Sequence, residues 1–288
     1  MFRDFISGKK NVDLHIHTKL SDGTHSVQEI LEMAFQHKLK AVSITDHDCI
    51  NAYPFAQQRG SELGIEVIPG VELSSEIDGV DIHILGYYLD IHNPLLTDTL
   101  SEMKRARYLR AEKIVENLNS QGIDLRFETV LNIAGDAAIG RPHIAAALLK
   151  EELVYSFREA FDKYIGYESP AYVKKFTILP KDVFQLIRQA GGIPVLAHPG
   201  VTNVDKLLPQ FIQDGLMGIE VFHSEHSEEA ERFYLQYSKK NNLAFTGGSD
   251  FHNSNQNKGE IGHPKISYAA VESLKEKLGQ ISQQTLPL

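Results

Sequence analysis

Apolar and polar residues alternate through Val12-Asp13-Leu14-His15-Ile16-His17. That is the period of a β-strand, in which side chains at i and i+2 share a face. Val12, Leu14 and Ile16 therefore point one way, and Asp13, His15 and His17 the other. The strand covers 11–17. Ser26, with Glu29 three residues on, reads as a capping box. It opens a helix that runs to about His37 and buries Val27, Ile30, Leu31, Ala34 and Phe35. A second strand, 41–45, ends in Asp46-His47-Asp48. A helix over 51–63 is closed by Gly64. A strand over 65–73, a turn at Asp78-Gly79 and a strand over 80–87 follow. Strands and helices in this order predict a parallel sheet or barrel.

The rhythm breaks near His92-Asn93-Pro94. Residues 95–176 show no strand alternation and read as helices over 101–118, 127–133, 142–151 and 156–164. The first pattern resumes at Pro180. Helix 181–190 leads to strand 193–197 and His198-Pro199-Gly200. Helix 204–214 leads to strand 217–222 and His223. Helix 227–241 leads to strand 243–246 and Gly247-Gly248-Ser249-Asp250-Phe251-His252, and a last helix covers 270–282. The expected organisation is an α/β domain, 1–94 and 177–288, interrupted by a helical insert at 95–176.

Composition narrows the class. The chain has 288 residues, 42% of them hydrophobic and 23% charged, as in an ordinary soluble globule. A formal net charge of -9 gives no general attraction to nucleic acid or anionic membrane. Cys49 is the one cysteine, so no intrachain disulfide forms. No apolar run reaches the roughly 18 residues of a membrane span. The first ten residues lack a signal-peptide core. These features predict a cytoplasmic protein with no membrane association, and no obligate protein partner is evident.

The strand ends carry the chemistry. His15, His17 and Asp22 follow the first strand, His47 the second. Glu72 closes the third and His83 lies in the fourth. His198, Asp250 and His252 follow later ones. In a parallel barrel all strand C-termini gather at one face. A lone His-x-His fits the wet face of an amphipathic strand equally well. Nine nitrogen and carboxylate donors at successive strand ends, with no thiolate, instead suit Zn²⁺, Mn²⁺ or Fe²⁺.

Seven motifs carry a resemblance: Asp13-Leu14-His15-Ile16-His17-Thr18, Ser21-Asp22-Gly23, Ile44-Thr45-Asp46-His47-Asp48, Pro69-Gly70-Val71-Glu72, His83-Ile84-Leu85-Gly86, Ala197-His198-Pro199 and Gly248-Ser249-Asp250-Phe251-His252. In order and over nearly the whole chain, they resemble the PHP (polymerase and histidinol phosphatase) family. Within it, the likeness is to bacterial stand-alone nucleotide phosphatases and 5′-to-3′ oligoribonucleotide exonucleases. The resemblance implies a distorted (β/α)7 barrel holding two to three divalent ions on His15, His17, Asp22, His47, Glu72, His83, His198, Asp250 and His252. Asp13 and Asp46 are expected to hold ligand imidazoles in the right tautomer from behind.

The implied reaction is hydrolysis of a nucleotide phosphate ester, in a nucleoside 3′,5′-bisphosphate or a 5′-phosphorylated short RNA. A water bridging two divalent ions ionises near neutral pH and attacks phosphorus. His223 or His226 is the candidate proton donor to the leaving alcohol, although His226 also fits a helix-capping role. In the insert, Gly140-Arg141-Pro142-His143 opens a helix. Its free amides and the Arg141 guanidinium would make an anion site, with His143 beside it. Lys174 and Lys175 are a weaker pair for the same task. Lys104, Arg105, Arg107 and Arg110 read as a solvated helix face or, alternatively, a grip on an RNA backbone. Three other classes stay open: a phosphatase of another small monoester such as a histidinol-phosphate-like substrate, an amidohydrolase-type metal hydrolase, and a non-catalytic metal-stabilised module. No strand ends in the lysine that amidohydrolase barrels usually use.

Overall fold

A computed structural model of the protein describes residues 11–252 and 259–284. The first ten residues, read above for a signal peptide, lie outside them. Among the described residues no helix is long and apolar enough to cross a membrane.

The chain opens with β1 (Asn11–Ile16), α1 (Val27–Gln36), β2 (Ala41–Ile44), α2 (Tyr53–Leu63) and β3 (Glu66–Val67). The Ser26–Glu29 capping box forms, and Gly64 closes α2 in the left-handed region at φ 70°. Phe35, expected in the core, is 55% exposed. The buried stripe of α1 is Val27, Ile30, Leu31 and Ala34, and Phe35 falls just past its edge.

The strand expected over 65–73 is two strands. β3 pairs with β2, whereas β4 (Gly70–Ile77) pairs with β5 (Val80–Tyr87) in a different sheet. Pro69 sits at the break, where it has no N–H to continue a ladder. β4 and β5 are antiparallel, not parallel. Asp78 and Gly79 join them with φ of 51° and 82°, and two residues at positive φ make a hairpin turn, too short for a parallel crossover.

Helices then fill the stretch up to residue 165. α3 (Pro94–Ser120) starts seven residues earlier than periodicity suggested, because Asn93 caps Leu96 and Pro94 takes the first position. α4 (Phe127–Ala134), α5 (Arg141–Lys150) and the short α6 (Phe157–Glu159) follow, and α6 runs into a π-helical turn, Ala160–Ile165. One buried cluster consists wholly of residues between Ala111 and Ala171.

The rest comprises α7 (Pro180–Gln189), β6 (Ile193–Leu196), α8 (Pro199–Thr202), α9 (Leu208–Asp214), β7 (Gly218–His223), α10 (Glu228–Lys240), β8 (Ala244–Gly248), β9 (Ile266–Ser267) and α11 (Ala269–Gln284). The expected helix 204–214 is a 3₁₀ turn followed by α9. Among the described residues the strands form two sheets, ordered β3-β2-β1-β9 and β4-β5-β6-β7-β8. The sheets are knitted at two seams. At one, Asp250 N donates to His15 O and His17 N donates to Phe251 O, both at 2.9 Å. A Cβ on Gly248 would lie 2.3 Å from that of His15, so only glycine lets β8 approach β1 this closely. At the other seam, Asp48 N donates to Glu72 O at 2.9 Å. Both seams lie where candidate metal-binding side chains emerge.

Candidate metal centre

The alternation of β1 buries His15 and His17 completely on one face. Their Nε2 atoms lie 3.1 Å apart. Glu72 Oε2 is 3.1 Å from the first and 3.0 Å from the second. Asp250 Oδ1 is 3.3 and 3.2 Å from the same two nitrogens. These spacings are close to the edge of about 3.3 Å expected for a tetrahedron of donors 2.0–2.1 Å from a zinc-sized ion. Two further donor groups share members with this one: His17, Asp22, His47 and His252, and His47, Glu72 and His83. His198 Nε2 lies 3.3 Å from Glu72 Oε1. All nine strand-end residues thus meet around Glu72, Asp22 and Asp250.

Electrostatics favours a cation there. Burial alone would raise the Glu72 carboxyl, but His47, His15 and His83 hold it well below the usual carboxylate range. Burial opposes ionisation of Asp250 and Asp22 too, and is again outweighed, by His15 and His17 for Asp250 and by His47 and His252 for Asp22. Several buried ionised carboxylates side by side are costly unless positive charge compensates them. Without an ion, protons on histidine take that role. Burial would lower His17, yet Asp250 and Glu72 push it up to about 10. Burial pushes His47 down to about 3 despite Glu72 and Asp22. The donor set therefore fits divalent cations. Asp48, His198 and Asp250 adopt positive φ of 52°, 27° and 53°, non-glycine backbone that costs roughly 1–3 kcal/mol and concentrates at functional sites.

The groups expected to orient imidazoles do something else. Asp13 accepts from Ser249 N at 2.9 Å and Gly262 N at 2.8 Å. Asp46 accepts from Thr18 N and Thr18 Oγ1 at 2.7 Å and from Ser21 Oγ at 2.6 Å. Both fasten backbone and loop hydroxyls. Among the described residues no imidazole lies on either, because amide and hydroxyl donors fill their oxygens. Imidazole orientation comes instead from Glu220, which sequence reasoning missed. Its Oε1 accepts from His15 Nδ1 at 3.0 Å and its Oε2 from His198 N at 2.8 Å. His252 Nδ1 likewise donates to Asp250 O at 2.8 Å. Each arrangement leaves Nε2 as the free donor. The signal was a lone acid within the apolar strand Ile219-Glu220-Val221-Phe222.

The two candidate acids separate. His226 has both ring nitrogens engaged by backbone: Nδ1 donates to Val221 O at 2.9 Å and Nε2 accepts from Gly200 N at 3.1 Å. It braces α8, and its one ring proton is spent on Val221 O. His223 Nδ1 accepts from Glu225 N at 3.1 Å, which leaves the proton on Nε2, 3.4 Å from Asp250 Oδ2.

The helical side needs larger corrections. Arg141 itself opens α5. The expected amide nest is taken up, because Gly140 N donates to His143 Nδ1, His143 N donates to Gly140 O, and Pro142 has no N–H. His143 thus caps the turn through Nδ1 while its ring lines the cleft. The Arg141 guanidinium stacks 4.4 Å from the Tyr167 ring centre, with no carboxylate partner among the described residues. Lys174 pairs with Glu76 at 3.4 Å and Lys175 with Asp81 at 2.7 Å, so neither is a free phosphate ligand. Of the helix face read as solvated, Arg105 is exposed, whereas Lys104, Arg107 and Arg110 are engaged. Lys104 reaches Asp136 O and Arg110 reaches Val173 O. Arg107 grips the buried Asp48 carboxylate and Ser74 Oγ. A cleft of about 870 Å³ separates the two sides, with Asp22, Asp250 and His252 on one wall and Pro142, His143, Phe157 and Phe161 on the other.

Fold and donor set together define a metal-dependent phosphoesterase. The chain belongs to the PHP domain family, whose model matches residues 13–282. A 5′-3′ exoribonuclease of Haemophilus influenzae is 32% identical, over 84% of this chain and 90% of that protein. A 3′,5′-nucleoside bisphosphate phosphatase of Chromobacterium violaceum is 30% identical, over 88% and 91%. The solved structure of a candidate metal-dependent phosphoesterase from Bifidobacterium adolescentis superposes with a TM-score of 0.84 at 29% identity, covering 92% of this chain and 96% of that one.

Proposed function

We propose that this protein hydrolyses phosphate esters of nucleotides, with a nucleoside 3′,5′-bisphosphate or a 5′-phosphorylated short RNA as substrate. The observation that carries the reading is the closely spaced set of His15, His17, Glu72 and Asp250, flanked by two further donor groups that share its members. Together with His198, these residues would hold two to three ions of manganese, zinc or iron. Bound there, such ions neutralise phosphoryl oxygens and acidify the attacking water. Glu220 keeps the His15 donor nitrogen aimed inward. His223, whose Nε2 lies 3.4 Å from Asp250 Oδ2, is the histidine read as the proton donor to the leaving alcohol, a role it would perform as the imidazolium. Arg141, stacked and free of carboxylates, supplies the second positive focus for a substrate with two phosphates.

The two knitted sheets are read as the distorted (β/α)7 barrel of 1–94 and 177–288, with 95–176 as its substrate-recognition insert. A single cysteine fits a cytoplasmic setting. A panel of nucleoside bisphosphates, 5′-phosphorylated di- and trinucleotides, glycerol phosphate and amide or lactone substrates, run with Mn²⁺, tests the reading. Turnover concentrated on the nucleotides is expected. Turnover of amides or lactones without phosphate esters would overturn it.

A further inference from the structure

We propose that Phe157 and Phe161 form a nucleobase-stacking platform on the cleft wall facing the metal centre. The inference rests on the phosphoesterase reading and names what part of the substrate, other than phosphate, the site grips.

Both rings line the same cleft as Asp22, Asp250 and His252. They lie four residues apart across the junction of α6 and the π-helical turn. Arg158, between them, lines the cleft too and pairs with Asp162 at 3.3 Å, while Lys163 pairs with Glu159 at 2.8 Å. The two apolar rings line the cleft on either side of Arg158 in sequence. Phe157 is 39% exposed. Phe161 is half-buried against the core of the helical segment, which fixes it in place. A π-turn is a rare backbone form that recurs at functional sites, and here it carries one of the two rings.

Phe161 also lies under the guanidinium of Arg141, at 5.6 Å. The platform is therefore continuous with the cation proposed to hold the second phosphate. The cleft volume of about 870 Å³ falls within the roughly 300–1,000 Å³ that encloses a whole small ligand. Lys19 and Arg158 stand at the same cleft and suit a polyanion. Aromatic faces stack any base, so this subsite would prefer nucleotides over base-free esters with little preference among bases.

The test uses the full chain and a non-hydrolysable probe, 2-aminopurine riboside 5′-phosphonate, whose fluorescence is quenched by stacking. Quenching by the native protein is expected, with weaker binding by roughly 5- to 150-fold in Phe157→Ala and Phe161→Leu. Phe161→Leu keeps apolar packing and removes only the π-face, and Phe161→Tyr should restore binding. The ratio of kcat/KM for a nucleotide over glycerol phosphate should fall by the same factor. An unquenched probe, or equal losses for the base-free ribose 5-phosphonate, would overturn the platform. Quenching without nucleotide hydrolysis would leave the platform standing and sink the phosphoesterase reading. Nucleotide hydrolysis with an unquenched probe would do the reverse.

Discussion

The two walls of the cleft are built by different rules. On the strand side, ionisable groups answer to each other. Glu72 alone lies within 2.9–3.3 Å of nitrogens from His15, His17, His47, His83 and His198. Every one of these side chains leaves a strand or the loop just after it, and the ring orientations are set by buried partners such as Glu220. On the helical side, the cations named above are engaged one at a time, by a carbonyl, a ring or a single carboxylate. Arg110 bonds Val173 O, and Arg141 bonds Ile165 O and stacks on Tyr167. The first wall is pre-set for one kind of chemistry. The second can exchange its side chains without disturbing that chemistry, which is where substrate preference is free to change.

Removing a strand-side donor should therefore have the largest effect. Asp250→Ala or His17→Ala is expected to lower kcat/KM on every phosphate ester by at least about 4 kcal/mol, roughly a thousandfold, with the circular dichroism of the native fold retained. Substrate-dependent losses would mean that these residues bind rather than catalyse, and would break the contrast between the walls.

Arg107 is the tie between the two walls. It holds Asp48, whose side chain is fully buried and whose other oxygen accepts from Ser74 N at 2.8 Å. Removing one partner of a wholly buried pair costs about 3–5 kcal/mol. The guanidinium here is 21% exposed, so Arg107→Leu should cost about 1–3 kcal/mol in urea denaturation. A change in substrate preference with stability intact would move Arg107 to the recognition wall.

Arg141→Ala should act on preference instead. The ratio of kcat/KM for a nucleoside bisphosphate over glycerol phosphate is expected to fall by about 1.5–3 kcal/mol, the range for a hydrogen bond to a charged group. An unchanged ratio would return Arg141 to a structural role on Tyr167.

What could be read from sequence follows the same division. The strand-side donors were legible because strand periodicity and strand ends place residues without reference to the rest of the chain. Direction was less so. The two-residue turn Asp78-Gly79 signalled an antiparallel pair, but the strand–helix rhythm around it suggested a parallel one. Pro69 marked a break that apolar periodicity ran straight across. On the helical side, Arg107 meets Asp48 across 59 residues, and spacing carries no sign of such a contact. His226 and His143 looked like chemistry because their partners are backbone atoms, which no motif displays.

The smallest effect tests the outer layer of the strand side, where α10 packs. Burial and the neighbouring Glu228 push Glu231 from 4.5 up to about 7. Its folded form binds a proton more tightly than its unfolded form, so this contribution is present below pH 4.5 and is lost as pH rises toward 7. Glu231→Gln should raise Tm at pH 8, leave it unchanged at pH 4, and leave substrate preference alone. A Tm gain at both pH values would point to packing rather than charge.

The central claim is that the strand-side wall is a metal cluster. Elemental analysis of protein expressed with manganese, zinc and iron supplied, then dialysed without chelator, tests it most directly. The donor groups predict two to three transition-metal ions per chain, falling in His17→Ala and unchanged in Arg141→Ala. Protein that carries less than about half an ion per chain, yet still hydrolyses nucleotides, would contradict it.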